Sequence, residues 1–230
     1  MMRHTQQGPY RIVYDPVVTA GDLEVLSKAL GETDCGIGEG LVGRGRMARA
    51  TLDDSQPVII KPYCRGGIVR YFIKRHYLRW GKRRCHAEYD MLRRVNEIGV
   101  NAPEPVAYAF QGTLFYKSWL ITREIDRPER LSDVSHREET DVRGVLESLA
   151  DQVALLIEHR IRHVDLHPGN VLVDGSRRVF IVDFDKARTF RGGKTRLRDR
   201  YISRWSRAVK KYDLPKALDT EFRNRLERLS

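Results

Sequence analysis

The stretch His163-Val164-Asp165-Leu166-His167-Pro168-Gly169-Asn170 is followed, thirteen residues after Asn170, by Asp183-Phe184-Asp185. Asp165, Asn170 and Asp183 carry the oxygen atoms that a phosphoryl-transfer site needs. One carboxylate can take the proton of an attacking hydroxyl, while an amide oxygen and a second carboxylate can hold Mg²⁺ on the phosphates. The pattern predicts Asp165 as the catalytic base and Asn170 and Asp183 as metal ligands.

The spacing of these residues matches a catalytic pattern. The first stretch fits His-Arg-Asp-Leu-x-x-x-Asn, the catalytic loop of protein kinases, except that Val164 replaces Arg, and the second begins like Asp-Phe-Gly. A simpler alternative is that Asp165 and Asn170 form a turn around Pro168-Gly169, and that Asp183 only ends a strand. The combination of all three residues at this spacing favours the catalytic interpretation.

The segments on either side of the loop are predicted to position it. Apolar residues recur at helical spacing from Val145 to Arg160, which predicts a buried amphipathic helix before the loop. After the loop, Val171 to Asp174 and Val179 to Phe184 flank a Gly175-Ser176 turn and predict a buried β-hairpin. These elements would bring the three polar side chains close together.

The composition indicates a folded protein with a large excess of positive charge. The chain has 230 residues, of which 41% are hydrophobic and 32% charged, and a net charge of +11. Lys61 to Arg94 holds eleven basic residues against two acidic ones, and Lys186 to Lys211 holds eleven against one. This distribution predicts a polyanionic partner, namely nucleic acid, a membrane surface or a phosphorylated substrate.

The cysteines and the N-terminus bear on the cellular compartment. Cys35, Cys64 and Cys85 are odd in number and lack C-x-x-C spacing, so neither a disulfide framework nor a zinc site is expected, and a reducing compartment fits. The N-terminal residues include no apolar segment typical of a signal peptide, and no run approaches eighteen apolar residues. The expected protein is neither secreted by a signal peptide nor membrane-spanning.

A glycine-rich segment precedes two predicted strands. Gly36 to Gly45 contains five glycines in ten residues, three of which fit G-x-G-x-x-G. Backbone N-H groups in such a loop can approach phosphates closely, although any flexible loop can show this pattern. Strands are predicted from Met47 to Leu52 and from Val58 to Lys61, so the glycines would lie over a hairpin.

A lysine and a glutamate are predicted to form an ion pair. Val58-Ile59-Ile60-Lys61 has the form of the kinase strand whose lysine pairs with the α/β-phosphates. The helix predicted from Lys82 to Ile98 carries Glu88 at the edge of an apolar stripe. Because burying a lone charge is costly, Glu88 is predicted to pair with Lys61. The alternatives are a solvated Lys61 and a surface pair between Glu88 and Arg84. The apolar stripe is formed by Ala87, Met91, Val95 and Ile98.

Residues 66–80 are predicted to form a basic amphipathic helix. Its apolar side would carry Ile68, Val69, Phe72, Ile73, Tyr77 and Trp80, and its basic side Arg70, Lys74, Arg75 and Arg79. Such a helix either docks on an anionic surface or packs on the core with a solvated face. The pattern alone does not distinguish these two roles.

The predicted fold class is α+β, a two-lobed protein-kinase-like fold. The N-lobe, residues 1–122, is expected to be mostly antiparallel sheet, and the C-lobe, residues 123–230, to be reduced and mainly helical, with ATP between them. No Ala-Pro-Glu follows Asp183, which argues against an ordinary protein kinase with its activation segment.

The sequence also predicts further elements in both lobes. In the N-lobe they are strands Tyr10 to Tyr14, Val106 to Phe110 and Leu114 to Thr122, and a helix from Asp22 to Leu30 that stops at Gly31. In the C-lobe they are a basic loop from Arg188 to Arg200 and a helix from Tyr201 to Lys211.

Several stretches, in order along most of the chain, resemble a known family. They are Gly43-Arg44-Gly45-Arg46, Lys61-Pro62-Tyr63-Cys64-Arg65-Gly66-Gly67, Glu88 with the Pro103 and Pro105 strand after it, Leu120-Ile121-Thr122-Arg123-Glu124-Ile125, Asp165 to Asn170, and Asp183-Phe184-Asp185-Lys186-Ala187. Together they resemble the lipopolysaccharide core kinases, and most closely the 3-deoxy-D-manno-octulosonic acid (Kdo) kinases. Lys61 stands in place of an Arg of that pattern, and Asp185 in place of the Gly of Asp-Phe-Gly, which is expected to restrict the loop.

The resemblance implies ATP-dependent phosphorylation of a Kdo hydroxyl on a Kdo-lipid A acceptor. It implies ATP and Mg²⁺ as cofactors, with Gly43, Gly45, Lys61 and Glu88 at the nucleotide. It also implies that the positive charge serves an anionic membrane surface, with the protein cytoplasmic and peripheral on the cytoplasmic face of the inner membrane. No nucleic-acid partner is expected.

Two other functions are consistent with the same residues. A heptose kinase or another small-substrate kinase of the same fold would share these motifs, because the motifs do not determine which acceptor is bound. A non-catalytic basic protein that binds nucleic acid on a kinase scaffold is disfavoured, because all the catalytic groups are present and no nucleic-acid motif accompanies the charge. The sequence assigns no role to His167 or Asp185.

Overall fold

The computed structural model describes residues 2–33, 47–63, 77–78, 83–113, 115–137 and 142–229. The chain divides into two compact units, Met1–Asp90 with Glu104–Glu124 and Met91–Pro103 with Ile125–Ser230. The first unit ends two residues beyond the expected end of the N-lobe, and residues 91–103, expected in the N-lobe, belong to the second unit.

The first unit is built on a seven-stranded antiparallel sheet. Its elements are β1 (Arg3–Gln7), β2 (Tyr10–Tyr14), α1 (Ala20–Glu32), β3 (Ala48–Thr51), β4 (Pro57–Pro62), β5 (Tyr77–Leu78), the start of α2 (Arg84–Glu97), β6 (Pro105–Gly112) and β7 (Phe115–Arg123). The strand order is β1-β2-β6-β7-β4-β3, and β5 pairs with β7. The predicted strands are thus confirmed, whereas β1 and β5 were not predicted as strands.

Alternation along β4 determines where its lysine lies. Val58 and Ile60 are fully buried, while Ile59 and Lys61 are partly exposed, as expected when successive side chains point to opposite faces of a sheet. Helix α1 contributes Leu26 and Leu30 to the core that holds Val58 and Ile60. Lys61 therefore projects from the opposite face of β4.

Helix α1 does not stop at Gly31 as predicted. It continues to Glu32, and the hydroxyl of Thr33 donates a hydrogen bond of 2.7 Å to the Leu30 carbonyl. This bond satisfies one of the carbonyls that a helix end leaves without an intrahelical partner.

The second unit is mainly helical with two small sheets. It contains the end of α2, β8 (Glu129–Arg130), α3 (Leu131–Val134), α4 (Val142–Glu158), β9 (Ile161–Arg162), β10 (Val171–Val173), β11 (Val179–Ile181), β12 (Arg188–Thr189), α5 (Lys194–Lys211) and α6 (Ala217–Arg228). Strand β10 pairs with β11 and β8, and β9 pairs with β12. The predicted α+β class, with an antiparallel-sheet first part and a helical second part, is confirmed.

Two helices of the second unit depart from the prediction. Helix α5 begins at Lys194 instead of Tyr201, and α6 was not predicted at all. The side chain of Trp205 joins them, since its Nε1 donates to the Leu218 carbonyl at 2.9 Å and its ring stacks on Phe222 at 4.6 Å.

Two predicted segments fall mostly outside the described residues. The glycine-rich loop, with Gly43 and Gly45, and most of the predicted basic helix lie in the ranges 34–46 and 64–82. Within the second range, Tyr77–Leu78 is strand β5. The prediction that a helix continues through these two residues is therefore wrong, because their backbone pairs with β7.

Candidate active site

The loop after β9 begins with a buried histidine that ties it to the hairpin. The Nε2 atom of His163 lies 3.0 Å from the Val182 carbonyl, and because a carbonyl only accepts, Nε2 carries the proton. Burial lowers the pKa of His163, so the ring is neutral. Its ring packs edge-on against buried Phe184 at 4.7 Å.

A tyrosine of α5 holds the start of the loop. The buried hydroxyl of Tyr201 accepts a hydrogen bond from the His163 backbone N-H and donates one to the Ile161 carbonyl, both at 2.8 Å. Burial raises the pKa of this phenol, which keeps it protonated and able to donate. One side chain thus satisfies two buried backbone groups.

His167 has a structural role that the sequence did not reveal. Its Nδ1 accepts a hydrogen bond of 3.1 Å from the Gly169 N-H, and so caps the short 3-10 turn Pro168–Asn170. A Cβ atom at position 169 would lie 2.9 Å from Cε1 of His167. Only glycine allows the imidazole this close approach.

Asn170 is buried and connects the loop to both of its neighbours. Its Nδ2 donates to the Asp165 carbonyl at 3.0 Å, and its own carbonyl accepts from the Val182 N-H at 3.0 Å. Because the amide nitrogen is engaged inside the loop, Oδ1 is the atom left for a ligand. This Oδ1 has no hydrogen-bond partner among the residues that the structure describes.

Asp183 follows directly on Val182, the residue that bonds to both His163 and Asn170. Its backbone is left-handed, with φ 69° and ψ 58°, a region that aspartate enters more often than most residues. Asp185 lies in the 3-10 turn Phe184–Lys186 and does not have positive φ. The expected restriction by Asp185 is wrong, because the left-handed position is Asp183.

Asp165 is bonded to an arginine that the sequence analysis did not identify. Nη2 of Arg204, on α5, donates to Oδ1 of Asp165. Burial raises the pKa of Asp165, but the hydrogen bond and the charge of Arg204 outweigh it and hold the pKa below its ordinary value. Asp165 is therefore ionised at neutral pH.

The first unit contains the predicted ion pair between Lys61 and Glu88. Nζ of Lys61 lies 3.2 Å from Oε1 and 3.4 Å from Oε2 of Glu88. Glu88 is only 2% exposed, so its charge needs such partners. The hydroxyl of Tyr63, which the sequence analysis missed, donates to Oε2.

The buried face of α2 differs from the predicted apolar stripe. Ala87 is exposed, whereas Glu88 lies in the buried face together with Cys85, Tyr89, Leu92 and Val95. The helix is rotated relative to the prediction because Tyr89 and Leu92, which are larger than Ala87, take the interior positions.

The structure brings three of the predicted site residues together. Within the second unit, Asn170 bonds to the Asp165 carbonyl and to the N-H of Val182, the residue directly before Asp183. Lys61 and Glu88 form a pair within the first unit, and Gly43 and Gly45 lie outside the described residues. Arg204, Tyr201 and Tyr63 carried no sequence signal, since each acts on a residue at least 25 positions away.

Comparisons with known proteins give a consistent result. A family model described as "Lipopolysaccharide kinase (Kdo/WaaP) family" matches residues 40–224. A "3-deoxy-D-manno-octulosonic acid kinase" of Vibrio vulnificus (strain YJ016) is 27% identical over 190 residues, 81% of this chain and 80% of that protein. Proteins of the same name from Vibrio parahaemolyticus and Photobacterium profundum are 30% identical over 149 residues and 31% over 142. These matches cover 64% and 60% of this chain, and 62% and 60% of the respective relatives.

Proposed function

Because the chain belongs to the lipopolysaccharide kinase (Kdo/WaaP) family, we propose that it transfers the γ-phosphoryl group of ATP to a Kdo hydroxyl of Kdo-lipid A in lipopolysaccharide inner-core biosynthesis. Membership of this family makes the chain a kinase that acts on a sugar. The names of its relatives support Kdo as the acceptor sugar.

The hydrogen-bonded frame around Asp165 is the observation that carries this proposal. Val182 accepts from His163 and donates to Asn170, so the residue before Asp183 is fixed to both ends of the loop. A simple turn around Pro168-Gly169 would not require bonds to a separate hairpin. The frame instead fits a site that must hold three oxygen-bearing side chains in one geometry.

We assign Asp165 the role of general base. Its carboxylate would take the proton of the sugar hydroxyl while the hydroxyl oxygen bonds to the γ-phosphorus, the bond from that phosphorus to the β-γ bridging oxygen breaks, and ADP leaves. Arg204 occupies Oδ1, and Oδ2 has no partner among the described residues, so Oδ2 can receive the hydroxyl. A lowered pKa is compatible with this role, because a loose transition state demands more orientation than base strength.

We assign Asn170 and Asp183 to Mg²⁺. The described residues contain no group of three or more His, Cys, Asp and Glu side chains that could hold a metal ion, so the protein would supply few ligands. This donor set fits Mg²⁺, which prefers oxygen ligands and completes its shell with waters and substrate phosphates. The bound ion would neutralise charge that develops on the transferred phosphoryl group.

We assign Lys61 to the nucleotide phosphates, with Glu88 as the group that orients it. The two contacts of the Lys61 ammonium with Glu88 fix a flexible side chain, and Tyr63 in turn holds the carboxylate. Gly43 and Gly45 are proposed to contact the phosphates through their backbone N-H groups.

The proposed acceptor is an acidic glycolipid, so we place the protein on the cytoplasmic face of the inner membrane as a peripheral enzyme. The net charge of +11 supports attraction to an anionic surface. None of the helices that the structure describes is long and apolar enough to cross a membrane.

The test is phosphate transfer from ATP, in the presence of Mg²⁺, to Kdo-lipid A, a heptosylated core and an aminoglycoside. The expected product is phosphorylated Kdo-lipid A. The Asp165→Asn variant should keep nucleotide binding but lose about 10² to 10⁴ in turnover, the usual contribution of a general base. Transfer only to the heptosylated core would show that heptose, and not Kdo, is the acceptor. Wild-type turnover by Asp165→Asn would show that Asp165 is not the general base.

A further inference from the structure

A cavity of about 360 Å³ lies within the second unit, next to the catalytic loop. Its volume is in the range of small-molecule sites. His163 and Val164 of the loop belong to its wall. The charged residues of the wall are Arg162, Arg196, Arg200, Arg204 and Arg207 together with a single acidic residue, Asp199.

Four of these arginines form a stripe on one side of α5. Positions 196, 200, 204 and 207 are spaced by four, four and three residues, which places the side chains on one helix face. Like charges at this spacing repel one another and destabilise a helix. An anion bound beside the stripe would offset this repulsion.

The carboxylates of the described residues leave the cavity with an excess of positive charge. Asp199 pairs with Arg198, and Asp165 pairs with Arg204. Arg162, Arg196 and Arg200 have no carboxylate partner among the described residues. Burial lowers the pKa of Arg162, and so does the nearby charge of Arg200 and Arg188, which is consistent with crowded cations.

Arg204 connects the cavity to the proposed base. Its side chain is part of the cavity wall and also donates to Oδ1 of Asp165. An anion bound in the cavity would therefore lie one side chain away from the group that takes the hydroxyl proton.

We propose that this arginine cavity binds the carboxylate of the acceptor sugar and so orients its hydroxyl toward Asp165, an inference that rests on the proposed function. Kdo is an acid, and the planar guanidinium fork matches a carboxylate with two parallel hydrogen bonds. The carboxylate is favoured over a phosphate of lipid A, because carboxylate and hydroxyl belong to one sugar, and the cavity and the base share Arg204.

The experiment compares two soluble acceptors, the methyl glycoside of Kdo and the same glycoside with its carboxyl group as the neutral methyl ester. For the wild-type protein, esterification should raise the KM of the acceptor about 10- to 100-fold, the effect of losing one or two charge-assisted hydrogen bonds. The Arg196→Gln, Arg200→Gln double variant should show a similar increase with the acid and no further increase with the ester. The KM for ATP should not change.

The matched control is the double variant Lys210→Gln, Lys211→Gln. It removes the same charge from two exposed positions of the same helix, outside the cavity. Its kinetics with both acceptors should equal those of the wild-type protein. Thermal unfolding of all variants identifies any loss of folding.

Three results would overturn the inference. If the arginine double variant shows the same rise in KM with the acid and with the ester, the two arginines do not recognise the carboxylate. If the double variant loses activity with Kdo-lipid A but not with the soluble glycoside, the cavity binds a phosphate of lipid A. If the KM for ATP rises in the double variant, the cavity belongs to the nucleotide site.

Failure of the proposed function would look different, because the wild-type protein would then phosphorylate none of the Kdo acceptors. In that case, calorimetric titration with the Kdo methyl glycoside still tests the cavity. Binding by the wild-type protein, with weaker binding by the arginine double variant and by the ester, would support it. Equal binding or no binding would reject it.

Discussion

At the scale of single residues, the proposed base is controlled by one partner. Arg204 contacts Oδ1 of Asp165 by a charge-assisted hydrogen bond, and both its hydrogen bond and its charge lower the pKa of the carboxyl group against the opposing effect of burial. Arg204 is therefore expected to orient Asp165 and to keep it ionised at lower pH.

The Arg204→Gln variant tests this control. Burial raises the pKa of Asp165, and the guanidinium of Arg204 makes the main contribution that counteracts it. Without the guanidinium, the pKa of Asp165 should therefore rise. Since the base acts only when deprotonated, turnover of the wild-type protein should persist to lower pH than for an ordinary aspartate. In Arg204→Gln the acid limb of kcat against pH should move to higher pH. An unchanged acid limb would show that Arg204 does not tune the base.

The Asp183→Ala variant tests the metal assignment. Loss of the carboxylate should weaken nucleotide binding in the presence of Mg²⁺ and also reduce turnover, because the ion would bridge protein and phosphates. Titration of ATP with and without Mg²⁺ separates this effect from general damage, since metal-free binding should change little. If Mg-ATP affinity and rate are both unchanged, Asp183 is not a ligand.

The residues of the candidate site differ in how far the sequence predicts them. Asp165, Asn170 and Asp183 lie within nineteen positions in a fixed spacing, so a local pattern contains them. Arg204 and Asp165 are 39 positions apart, and arginine is common in this chain. Only the fold, by placing α5 beside the loop, distinguishes Arg204 from its neighbours on that helix.

At the scale of elements, the loop from His163 to Asn170 is held from two sides. The hairpin fixes it through Val182, and α5 fixes it through Tyr201 and Arg204. The predicted helix before the loop and the predicted hairpin after it are both present, with small changes in their ends. The start of α5 was not predicted, because its first turns are dominated by Lys and Arg, with Leu197 as the only apolar residue before Tyr201.

Tyr201→Phe measures the contribution of α5 to the loop. The change leaves the buried His163 N-H and Ile161 carbonyl without their present partner, which should lower the free energy of unfolding by about 1–3 kcal/mol. Denaturant unfolding gives this value, and turnover should fall with it because the loop loses its anchor.

Tyr212→Phe is the matched control. Tyr212 follows the same helix and is 49% exposed, so the change should alter stability by less than about 0.5 kcal/mol. Equal effects of the two substitutions would show that the Tyr201 hydroxyl does not anchor the loop.

At the scale of the whole molecule, the positive charge is concentrated in two segments, Lys61 to Arg94 and Lys186 to Lys211, and the rest of the chain is net negative. Part of the second segment forms the wall of the arginine cavity. The sequence predicted a polyanionic partner from this charge, but it could not divide the charge between a substrate site and a surface. That division depends on which helix face the arginines share, and the predicted start of α5 was wrong.

The first segment leads to a prediction about membranes. Each Lys or Arg near an anionic bilayer contributes about 1 kcal/mol, screened over about 8–10 Å. A variant in which Arg70, Lys74, Arg75 and Arg79 are all changed to Gln should therefore bind phosphatidylglycerol vesicles up to about a thousandfold more weakly. Activity on a soluble Kdo acceptor should be retained, while activity on membrane-embedded Kdo-lipid A should fall.

The control for this variant removes four exposed charges outside both basic segments, through Gln at Lys28, Arg177, Lys216 and Arg228. Co-sedimentation with vesicles at increasing KCl compares the two proteins at equal net charge, so a difference between them must come from position. Stronger membrane binding by the control would place the docking surface in the first segment. Equal membrane binding by the two variants would mean that only the total charge matters. If the variant at positions 70, 74, 75 and 79 loses activity on both acceptors, these four residues belong to the substrate site and not to a membrane-binding surface.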